Sequence, residues 1–470
     1  MGLTAEQLEV LTAVLDTKYD TVMVDAIGGS GKSTTSVASA RLYAPKTGFY
    51  TAFNKAIVED TKKKLQGVLP ARTFHSIAYN IIKPRKSIEE LTYKSISNKF
   101  SYPEKLDIIG CLNGYFNSSY INIEDYLNKE HPHGKKLHEY VCDLADDMWN
   151  GKINPTFDYL LKCMHLMLHT GELEVGYDLI IVDECQDLVP VTFEITKLLK
   201  AKKKLYLGDK FQNIYNYMGT VNAFNLIKDA HTVRLTETFR CDKDTAYIVE
   251  KYGKQYLSKD FKFRSGRSYD CGASERAYIS RTNAGVLRRI IDCIDRNIPY
   301  KLLRSPKEVF ALPMALVNAS RGNPVYDRRY KYLETEYQKY CIAPLGAISF
   351  FDYVKESTKD PSITFMCDTV KYLIKDGVNF YDVYAHTMNN KNKVGYTITT
   401  AHAFKGLEVD IVYIDNDLNK LVSNIRDKMI VDGKFSVLNR QYLTPMDKEN
   451  LNIYYVALSR ARHEIENICI

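Results

Sequence analysis

The sequence predicts an α/β fold in which parallel β-sheets are covered by helices on both faces. Three runs of apolar residues, at 179–182, 205–207 and 411–414, read as buried strands separated by helical segments. Strands that are apolar on both faces are typical of parallel sheets with helices on either side. The first of these runs ends at Asp183 and Glu184, and polar residues at such strand ends are where α/β folds bind ligands.

Length and composition limit the class of protein. A chain of 470 residues is long enough for about two to four domains. The net charge of +7 suits a polyanionic partner, but it suits an ordinary lysine-rich surface equally well. The ten cysteines are scattered without a C-x-x-C pair, which disfavours a zinc site or a redox dithiol. No secretory signal or long apolar run is evident, so we expect a soluble protein of the cytoplasm.

The N-terminal segment has the element order that a phosphate-binding loop requires. Residues 4–16 read as a helix, 21–24 as a β-branched strand, and 33–43 as a second helix preceded by a glycine-rich turn. The turn matches the phosphate-loop pattern except at its first position, where alanine replaces glycine. The loop consists of Ala26, Ile27, Gly28, Gly29, Ser30, Gly31, Lys32 and Ser33.

Each residue type in this loop has a chemical reason to be there. Glycines let backbone N–H groups curl around phosphate oxygens, and the following helix directs its positive end toward the anion. Lys32 would reach the β- and γ-phosphates, and the Ser33 hydroxyl would bind Mg²⁺. The alternative is a glycine-rich turn with a chance lysine, which the flanking strand and helix disfavour.

The acidic pair that closes the strand at 179–182 completes the hydrolytic chemistry. Asp183 can hold Mg²⁺, while Glu184 can polarise the attacking water. Alone, the pair is as consistent with a solvated turn, but together with the phosphate loop it indicates a nucleotide-hydrolysing site. Hydrolysis also needs positive charge on the γ-phosphate, for which Arg240 and Arg460 are candidates, although an isolated arginine is usually a surface residue.

Two segments differ from the rest and read as insertions. Residues 84–165 are mainly helical, with one clear amphipathic helix at 136–149. Residues 305–390 are rich in tyrosine, lysine and arginine and form a second, shorter candidate insert. The remaining segments would make up two domains, the first from 1–83 and 166–235, and the second from 236–304 and 391–470.

The motifs occur in the order found in superfamily 1 helicases, and the chain resembles those of the UvrD, Rep and PcrA type from residue 7 to residue 462. Two short strings, at 53–56 and 73–76, are also similar to the F-box DNA helicases in that group. The resemblance implies two RecA-like motor domains, each with an inserted, mainly helical subdomain, and ATP bound between the two domains.

The resemblance assigns adenosine contacts to positions in both halves of the chain. Gln7 matches the glutamine that reads the adenine edge, and Phe239 matches an aromatic that stacks on the base. Glu408 matches an acid near the ribose, and Thr34 extends the phosphate loop. An ordinary surface glutamine is the alternative for Gln7.

The resemblance also assigns roles around the γ-phosphate. Lys32, Asp183 and Glu184 match the family's phosphate-loop lysine, magnesium-side acid and catalytic base. Gln212 matches the glutamine that senses the γ-phosphate and couples it to DNA, and Arg240 and Arg460 match two arginine fingers. The implied cofactors are ATP and Mg²⁺.

Aromatic and polar positions along the family's DNA track have counterparts here. Stacking on aromatic rings contributes roughly 1–3 kcal/mol per base and tolerates any sequence. Tyr217 stands where the family usually has tryptophan, and Met218 stands where it has arginine, so one contact should be weaker. Core tyrosines are the alternative for the two stacking positions. The matched positions are Asn54, Lys55, Thr73, Phe74, His75, Tyr215, Tyr217, Thr400 and His402.

The function that the resemblance implies is an ATP-dependent DNA helicase or translocase that moves 3′ to 5′ in replication, recombination or repair. The expected partners are single-stranded DNA, tailed or forked duplex DNA, and a single-strand-binding protein or a replication or recombination factor, with the chain itself monomeric. One alternative is a translocase that strips bound proteins with little unwinding, because the second insert is short for the family. Another is a phosphate-loop kinase or switch that uses no nucleic acid.

Overall fold

The computed structural model of the chain describes residues 2–52, 54–132, 134–216, 219–266, 274–342, 348–358, 360–392 and 394–469. These residues divide into two compact units, Met1–Glu237 and Thr238–Ile470. Each unit contains a five-stranded sheet whose strands all pair in parallel. The predicted fold class, an α/β chain with two parallel sheets, is therefore confirmed.

In the described part of the first unit, six helices lie between the second and third strands. Its sheet has the strand order β2-β3-β4-β1-β5. In chain order its elements are α1 (Ala5–Leu15), β1 (Thr21–Ala26), α2 (Lys32–Tyr43), β2 (Gly48–Ala52), α3 (Lys55–Leu65), α4 (Phe74–Ile82), α5 (Tyr102–Asn117), α6 (Ile123–Glu130), α7 (Lys135–Trp149), α8 (Phe157–Thr170), β3 (Gly176–Asp183), α9 (Pro190–Leu198), β4 (Lys200–Gly208), α10 (Ala223–Leu226) and β5 (His231–Leu235).

The sheet of the first unit forms because its central strands are apolar on both faces. Val24 of β1, Ile181 of β3 and Leu207 of β4 are each fully buried. Parallel pairing in register aligns the carboxyl ends of these strands at one edge of the sheet. That edge carries the phosphate loop after β1 and the acidic pair at the end of β3.

Strand β4 begins five residues before the predicted apolar run, in a segment of lysines. Lys203 is buried, and its ammonium donates to the carbonyls of Asp16 and Tyr19 beyond the end of α1. Lys204 donates to the carbonyl of Thr196, in the last turn of α9, at 2.8 Å. Because the last carbonyls of a helix lack partners within the helix, a buried ammonium stabilises them. These lysines belong to the sheet and its helix ends.

Helices α4 to α8 share one apolar core with the adjoining face of the sheet. Leu112, Val141, Leu160 and Met164 are fully buried in it. Lys162 is also fully buried, and it donates to the carbonyls of Ser118 and Tyr120, just beyond the end of α5. Burial lowers the pKa of Lys162 to about 7.

The second unit repeats the parallel arrangement, with the strand order β14-β11-β8-β10-β9. After β6 (Glu237–Thr238), at the junction of the units, its elements are α11 (Lys243–Tyr256), β7 (Arg264–Ser265), β8 (Arg276–Ser280), α12 (Asn283–Asp295), β9 (Tyr300–Leu302), α13 (Pro306–Ser320), α14 (Tyr332–Ile342), α15 (Phe350–Ser357), α16 (Pro361–Lys375), α17 (Phe380–Asn389), β10 (Tyr396–Thr400), α18 (Ala401–Phe404), β11 (Val409–Ile414), α19 (Asn416–Lys428), β12 (Ile430–Val431), β13 (Lys434–Phe435), α20 (Pro445–Leu458) and β14 (Ala461–Glu466).

Helices α13 to α17 lie between β9 and β10 in the chain and pack in a core with α12. Each unit therefore has one long run of helices between two strands of its sheet, α3 to α8 in the first and α13 to α17 in the second. The insert boundaries at 84–165 and 305–390 stay a prediction. None of the helices in the described ranges combines the length and the apolar composition that crossing a bilayer requires.

Candidate nucleotide and nucleic-acid site

The phosphate loop joins the end of β1 to the start of α2. Gly29 and Gly31 have φ angles of 78° and 81°, a left-handed conformation that side chains with a Cβ resist. The Ser30 amide and hydroxyl both donate to the Ile27 carbonyl, at 3.2 and 2.8 Å, and close the turn. The Ile27 amide donates to Leu235 at the end of β5, which anchors the loop to the sheet. A loop of this shape presents backbone N–H groups to an anion.

The acidic pair lies beside the phosphate-loop lysine. The Lys32 ammonium is 3.6 Å from Glu184 Oε1, and both side chains are largely buried. Glu184 has a φ of 53°, a strained backbone conformation for a residue other than glycine and one that is found at functional sites. Burial and the neighbouring charge of Glu184 raise the pKa of Asp183. A buried carboxylate that is difficult to ionise in this way is suited to a bound cation.

Tyr50 of β2 orients Asp183 from the adjacent strand. Its hydroxyl donates to Asp183 Oδ2 at 2.6 Å, while the Glu184 amide donates to Oδ1 at 2.8 Å. Burial and then the charge of Asp183 raise the pKa of Tyr50, so its hydroxyl keeps the proton that it donates. The sequence offered no signal for Tyr50, because its contact depends on the register between β2 and β3.

The acidic pair is also linked to the segment that follows β4. Gln186 Nε2 donates to Glu184 Oε2 at 2.5 Å, and Gln186 Oε1 accepts the Asp209 amide at 3.2 Å. Gln212 Nε2 then donates to Asp209 Oδ2 at 2.9 Å, and Asn213 Nδ2 donates to the Gln186 carbonyl at 2.6 Å. Hydrogen bonds therefore run without a break from the carboxylate beside the phosphate loop to Gln212. The sequence patterns assign no role to Gln186 or Asp209.

Gln7 connects α1 to the phosphate loop. Its carboxamide accepts from the Thr4 amide at 3.0 Å and donates to the Ser30 carbonyl at 3.4 Å. A carboxamide has two N–H donors and two acceptor lone pairs, so one of each remains. The remaining N–H donor and the remaining acceptor lone pair have the pattern that an adenine edge requires. The predicted role of Gln7 at adenine stays a prediction.

The second unit brings its arginine motifs together around one carboxylate. Arg240 Nε donates to Glu408 Oε2 at 2.6 Å, and Arg462 Nε donates to Glu408 Oε1 at 3.2 Å. Burial opposes ionisation of Glu408, but Arg240 and then Arg462 outweigh it and lower the pKa of Glu408. Arg240 Nη1 also donates to the Ser459 carbonyl at 2.8 Å. Glu408, which sequence analysis expects near the ribose, thus orients Arg240.

Arg460 is buried in the structure, with 2% of its surface exposed. Its Nε donates to the Val456 carbonyl at 3.0 Å, and its Nη2 donates to the Ser459 hydroxyl at 3.0 Å. The end of α20 therefore fixes the orientation of this guanidinium. Phe239, the predicted adenine-stacking residue, is half-buried next to Arg240.

Three of the predicted DNA contacts are N-caps of helices. Asn54 accepts the Ala56 amide at the start of α3, and Thr73 accepts the Ser76 amide at the start of α4. Thr400 caps α18 in the second unit. Helix N-termini attract phosphate groups, so these caps place the predicted contacts at suitable positions for a nucleic-acid backbone.

The other predicted DNA contacts differ in exposure. Phe74 is buried in the core of the first unit, while His75 beside it is half-buried and pairs with Asp158 at 3.0 Å. Tyr215 and His402 are half-buried, and Lys55 is exposed. Tyr217 and Met218, at the second stacking position and the position after it, lie outside the described residues.

Comparison with known proteins finds a matching family and similar DNA helicases. A family described as an AAA domain matches residues 11–218, which include the phosphate loop, the acidic pair and Gln212. F-box DNA helicase 1 of Gallus gallus is 27% identical over 282 residues, which cover 52% of this chain and 27% of that protein. F-box DNA helicase protein 1 of Schizosaccharomyces pombe is 24% identical over 518 residues, which cover 99% of this chain and 57% of that protein.

The chain is similar to these F-box DNA helicases, which supports its resemblance to the superfamily 1 DNA helicases. It spans about a quarter of the length of one helicase relative and somewhat over half of the other. The resemblance that the motifs predict is thereby confirmed.

The donor set of this chain fits Mg²⁺ bound together with a nucleotide. Across the described ranges, no group of three or more His, Cys, Asp or Glu side chains converges as a protein-only metal site would. Mg²⁺ is commonly held by one or two carboxylates together with substrate phosphates and water. Asp183 and the Ser33 hydroxyl are oxygen donors of that kind.

Proposed function

We propose that the chain couples ATP hydrolysis to movement along single-stranded DNA. One observation supports this most strongly: hydrogen bonds run from Glu184, beside Lys32, through Gln186 and Asp209 to Gln212. A change at the γ-phosphate can therefore be transmitted to the segment that carries Tyr215, a predicted base-stacking residue. A kinase or a switch that does not use nucleic acid has no need of such a connection.

The residues of the first unit perform the hydrolytic step. Backbone N–H groups of the phosphate loop bind the β- and γ-phosphates, and the Lys32 ammonium neutralises their charge. Glu184 orients a water molecule for in-line attack and accepts its proton. Asp183 and Ser33 would hold Mg²⁺, which would supply further positive charge to the phosphates.

The arginines of the second unit stabilise the charge that develops on the transferred phosphoryl group. Glu408 orients Arg240, and the backbone and hydroxyl groups at the end of α20 orient Arg460. Prior orientation matters because donors that are fixed in advance cost no reorganisation during the reaction.

The mechanical output is stepping on single-stranded DNA, 3′ to 5′, with duplex unwinding as a consequence. The N-caps Asn54, Thr73 and Thr400 hold the backbone, and Tyr215 and Tyr217 stack on bases. ATP drives the motion by favouring one arrangement of the grips over another. The helical inserts at 84–165 and 305–390 act as separate subdomains in this scheme, which serves replication, recombination or repair.

A second candidate is a translocase that strips bound proteins from single strands and unwinds little duplex. The short second insert favours it, since that region governs duplex contacts in the helicase family. Unwinding of 3′-tailed and 5′-tailed DNA and RNA duplexes, measured beside displacement of streptavidin from biotinylated single strands, separates the two functions. The helicase opens the 3′-tailed DNA duplex, whereas the stripping translocase displaces streptavidin only.

The nucleotide chemistry is tested by Lys32→Ala and Arg460→Ala. We expect each variant to lose single-stranded-DNA-stimulated ATPase activity, by roughly 10³-fold for the arginine. Lys200→Ala and Arg329→Ala are matched controls, because these side chains are 71% and 61% exposed in surface ion pairs. Circular dichroism verifies folding. Stimulated hydrolysis that survives in both Lys32→Ala and Arg460→Ala contradicts the proposal.

A further inference from the structure

Two helices of the first unit begin side by side, and their junction joins the predicted DNA contacts Thr73 and His75 to residues of α8 that have no assigned role. Helices α4 and α8 pack together, and the His75 imidazole in the first turn of α4 is 3.0 Å from Asp158 Oδ1 in the first turn of α8. Thr73 and Thr156 cap the two helices. Because N–H groups at both N-termini carry partial positive charge, this surface favours a negatively charged ligand.

An exposed aromatic ring lies at this junction. Phe157, the first residue of α8, is 48% exposed, and its ring meets the His75 ring edge-on with 5.9 Å between centroids. In the next turns of α8, Leu160, Leu161 and Met164 are completely buried in the apolar core, whereas Phe157 lies outside it. An exposed apolar ring beside an imidazole and two helix N-termini is complementary to the alternating bases and phosphates of a nucleic-acid strand.

Asp158 is a carboxylate at this surface, and its hydrogen bonds reduce the repulsion that its negative charge would exert on a phosphate. Asp158 Oδ1 is paired with His75, and Oδ2 accepts from Asn117 Nδ2 at 3.0 Å. Asn117 is the last residue of α5, and the buried Lys162 fixes the chain just beyond it by donating to the Ser118 carbonyl at 2.7 Å. The imidazole is therefore held in a defined orientation by three helices.

We propose that Phe157 is a base-stacking platform for single-stranded DNA and that Asp158 positions His75 against the adjoining phosphate. This inference rests on the proposed function, since it adds a contact from the first helical insert to the same DNA track. Phe157 touches the strand, whereas Asp158 and Asn117 act through His75.

The direct test is the affinity of Phe157→Ala for an oligothymidine and for an abasic oligomer of equal length, measured by fluorescence anisotropy. Stacking requires a base, so the variant should bind oligothymidine about fivefold more weakly and bind the abasic oligomer as the wild type does. Phe157→Tyr retains an aromatic face and should restore oligothymidine affinity. Equal weakening on both oligomers, or no recovery in Phe157→Tyr, overturns the stacking role.

Phe365→Ala is the matched control. It makes the same substitution at a ring that is 53% exposed on α16 of the second unit. Its affinity for both oligomers should equal that of the wild type. A loss in this control equal to that in Phe157→Ala means that removing any exposed phenylalanine weakens binding, and it contradicts a specific platform.

The positioning role of Asp158 is tested by a double-mutant cycle with His75. Asp158→Asn should weaken oligothymidine binding in the wild-type background and have no further effect in the His75→Ala background. Independent effects overturn the positioning role. Wild-type protein that binds no single-stranded DNA contradicts the proposed function itself, whereas wild-type binding with an unchanged Phe157→Ala contradicts only this inference.

Discussion

The carboxamide of Gln186 is held between the Glu184 carboxylate and the Asp209 amide, at 2.5 and 3.2 Å. Its amide nitrogen and its carbonyl oxygen are therefore both hydrogen-bonded, and rotating the side chain would break both contacts. Hydrogen bonds to charged groups contribute about 1.5–3 kcal/mol each, so the proposed coupling depends strongly on this residue. At the scale of single residues, Gln186 is the point where the nucleotide chemistry is most directly connected to Gln212.

Gly208→Ala tests this connection without removing a polar group. A Cβ at Gly208 would overlap Gln186 Oε1 and lie 3.0 Å from Cys185 Sγ, so the carboxamide must turn away. We expect DNA-stimulated kcat to fall about tenfold or more, matching Gln186→Ala, since ~1.4 kcal/mol corresponds to a factor of ten. Steady-state ATPase assays with saturating oligothymidine measure this.

The control for that prediction is Gly176→Ala, at the start of β3, where an added Cβ meets nothing within 4 Å. This variant should hydrolyse ATP at the wild-type rate. A Gly208→Ala protein that is folded and fully stimulated by DNA would show that the Gln186 contacts carry no coupling.

Glu408 and Arg240 should behave as one functional group. Because Glu408 orients Arg240 at 2.6 Å, Glu408→Gln should lower kcat in the wild type and have little further effect in the Arg240→Ala background. A double-mutant cycle on DNA-stimulated kcat measures the coupling. Fully additive losses would mean that Glu408 acts elsewhere, for example at the ribose, as its sequence position indicates.

The candidate catalytic residues that could be located from the sequence adjoin a strand end or a loop of fixed pattern. Lys32 and Glu184 are examples, because the strand–loop–helix order and the apolar run at 179–182 locate them. The contacts of Tyr50 and Asp158 could not be predicted from the sequence, because each residue contacts a partner more than 80 residues away in the chain. Those contacts depend on strand register and helix packing, which leave no local pattern.

Among the elements, the structure confirms the segments with the clearest periodicity. The helix predicted at 136–149 is Lys135–Trp149, and the strand predicted at 179–182 is the centre of β3. Strands β8 and β10 were not predicted, because serine, threonine and tyrosine make up much of their sequences. The first half of β4 was not predicted because it is rich in lysine. The bonds of these lysines to carbonyls at helix ends form only in the folded chain.

Helix α5 offers a matched pair of glycines for a test of the first insert. Gly110 is exposed in the helix interior, and an added Cβ there meets nothing within 4 Å. Gly110→Ala should therefore raise the free energy of unfolding by about 0.5–1 kcal/mol, because alanine loses less backbone entropy in a helix.

Gly114→Ala makes the same substitution one turn later and should have the opposite effect. Its Cβ would overlap the hydroxyl of Tyr126, a buried ring whose hydroxyl pairs with His131 at 3.1 Å. Overpacking of this kind costs roughly 1–3 kcal/mol. Urea unfolding followed by Trp149 fluorescence reports on this insert, and two variants with the same sign of change would contradict the described packing of α5.

For the whole molecule, the net charge of +7 is a poor guide to where nucleic acid binds. Lys203 and Lys204 cap helix ends, and Lys202 pairs with Asp178 at 2.9 Å, so the densest lysine run is part of the folded unit. The predicted DNA contacts instead lie at helix N-termini and aromatic rings. Sequence composition permits a polyanionic partner, but the placement of these elements is what makes single-stranded DNA the proposed ligand.

The central claim is that ATP hydrolysis depends on single-stranded DNA. The most direct measurement is the steady-state ATPase rate of the wild-type chain at saturating ATP and Mg²⁺, titrated with oligothymidine. We predict that kcat rises about tenfold or more and saturates, because the proposed DNA-binding segment is connected to Glu184 through Gln186. A hydrolysis rate that Lys32→Ala abolishes but oligothymidine leaves unchanged would contradict it and favour a nucleotide switch or kinase.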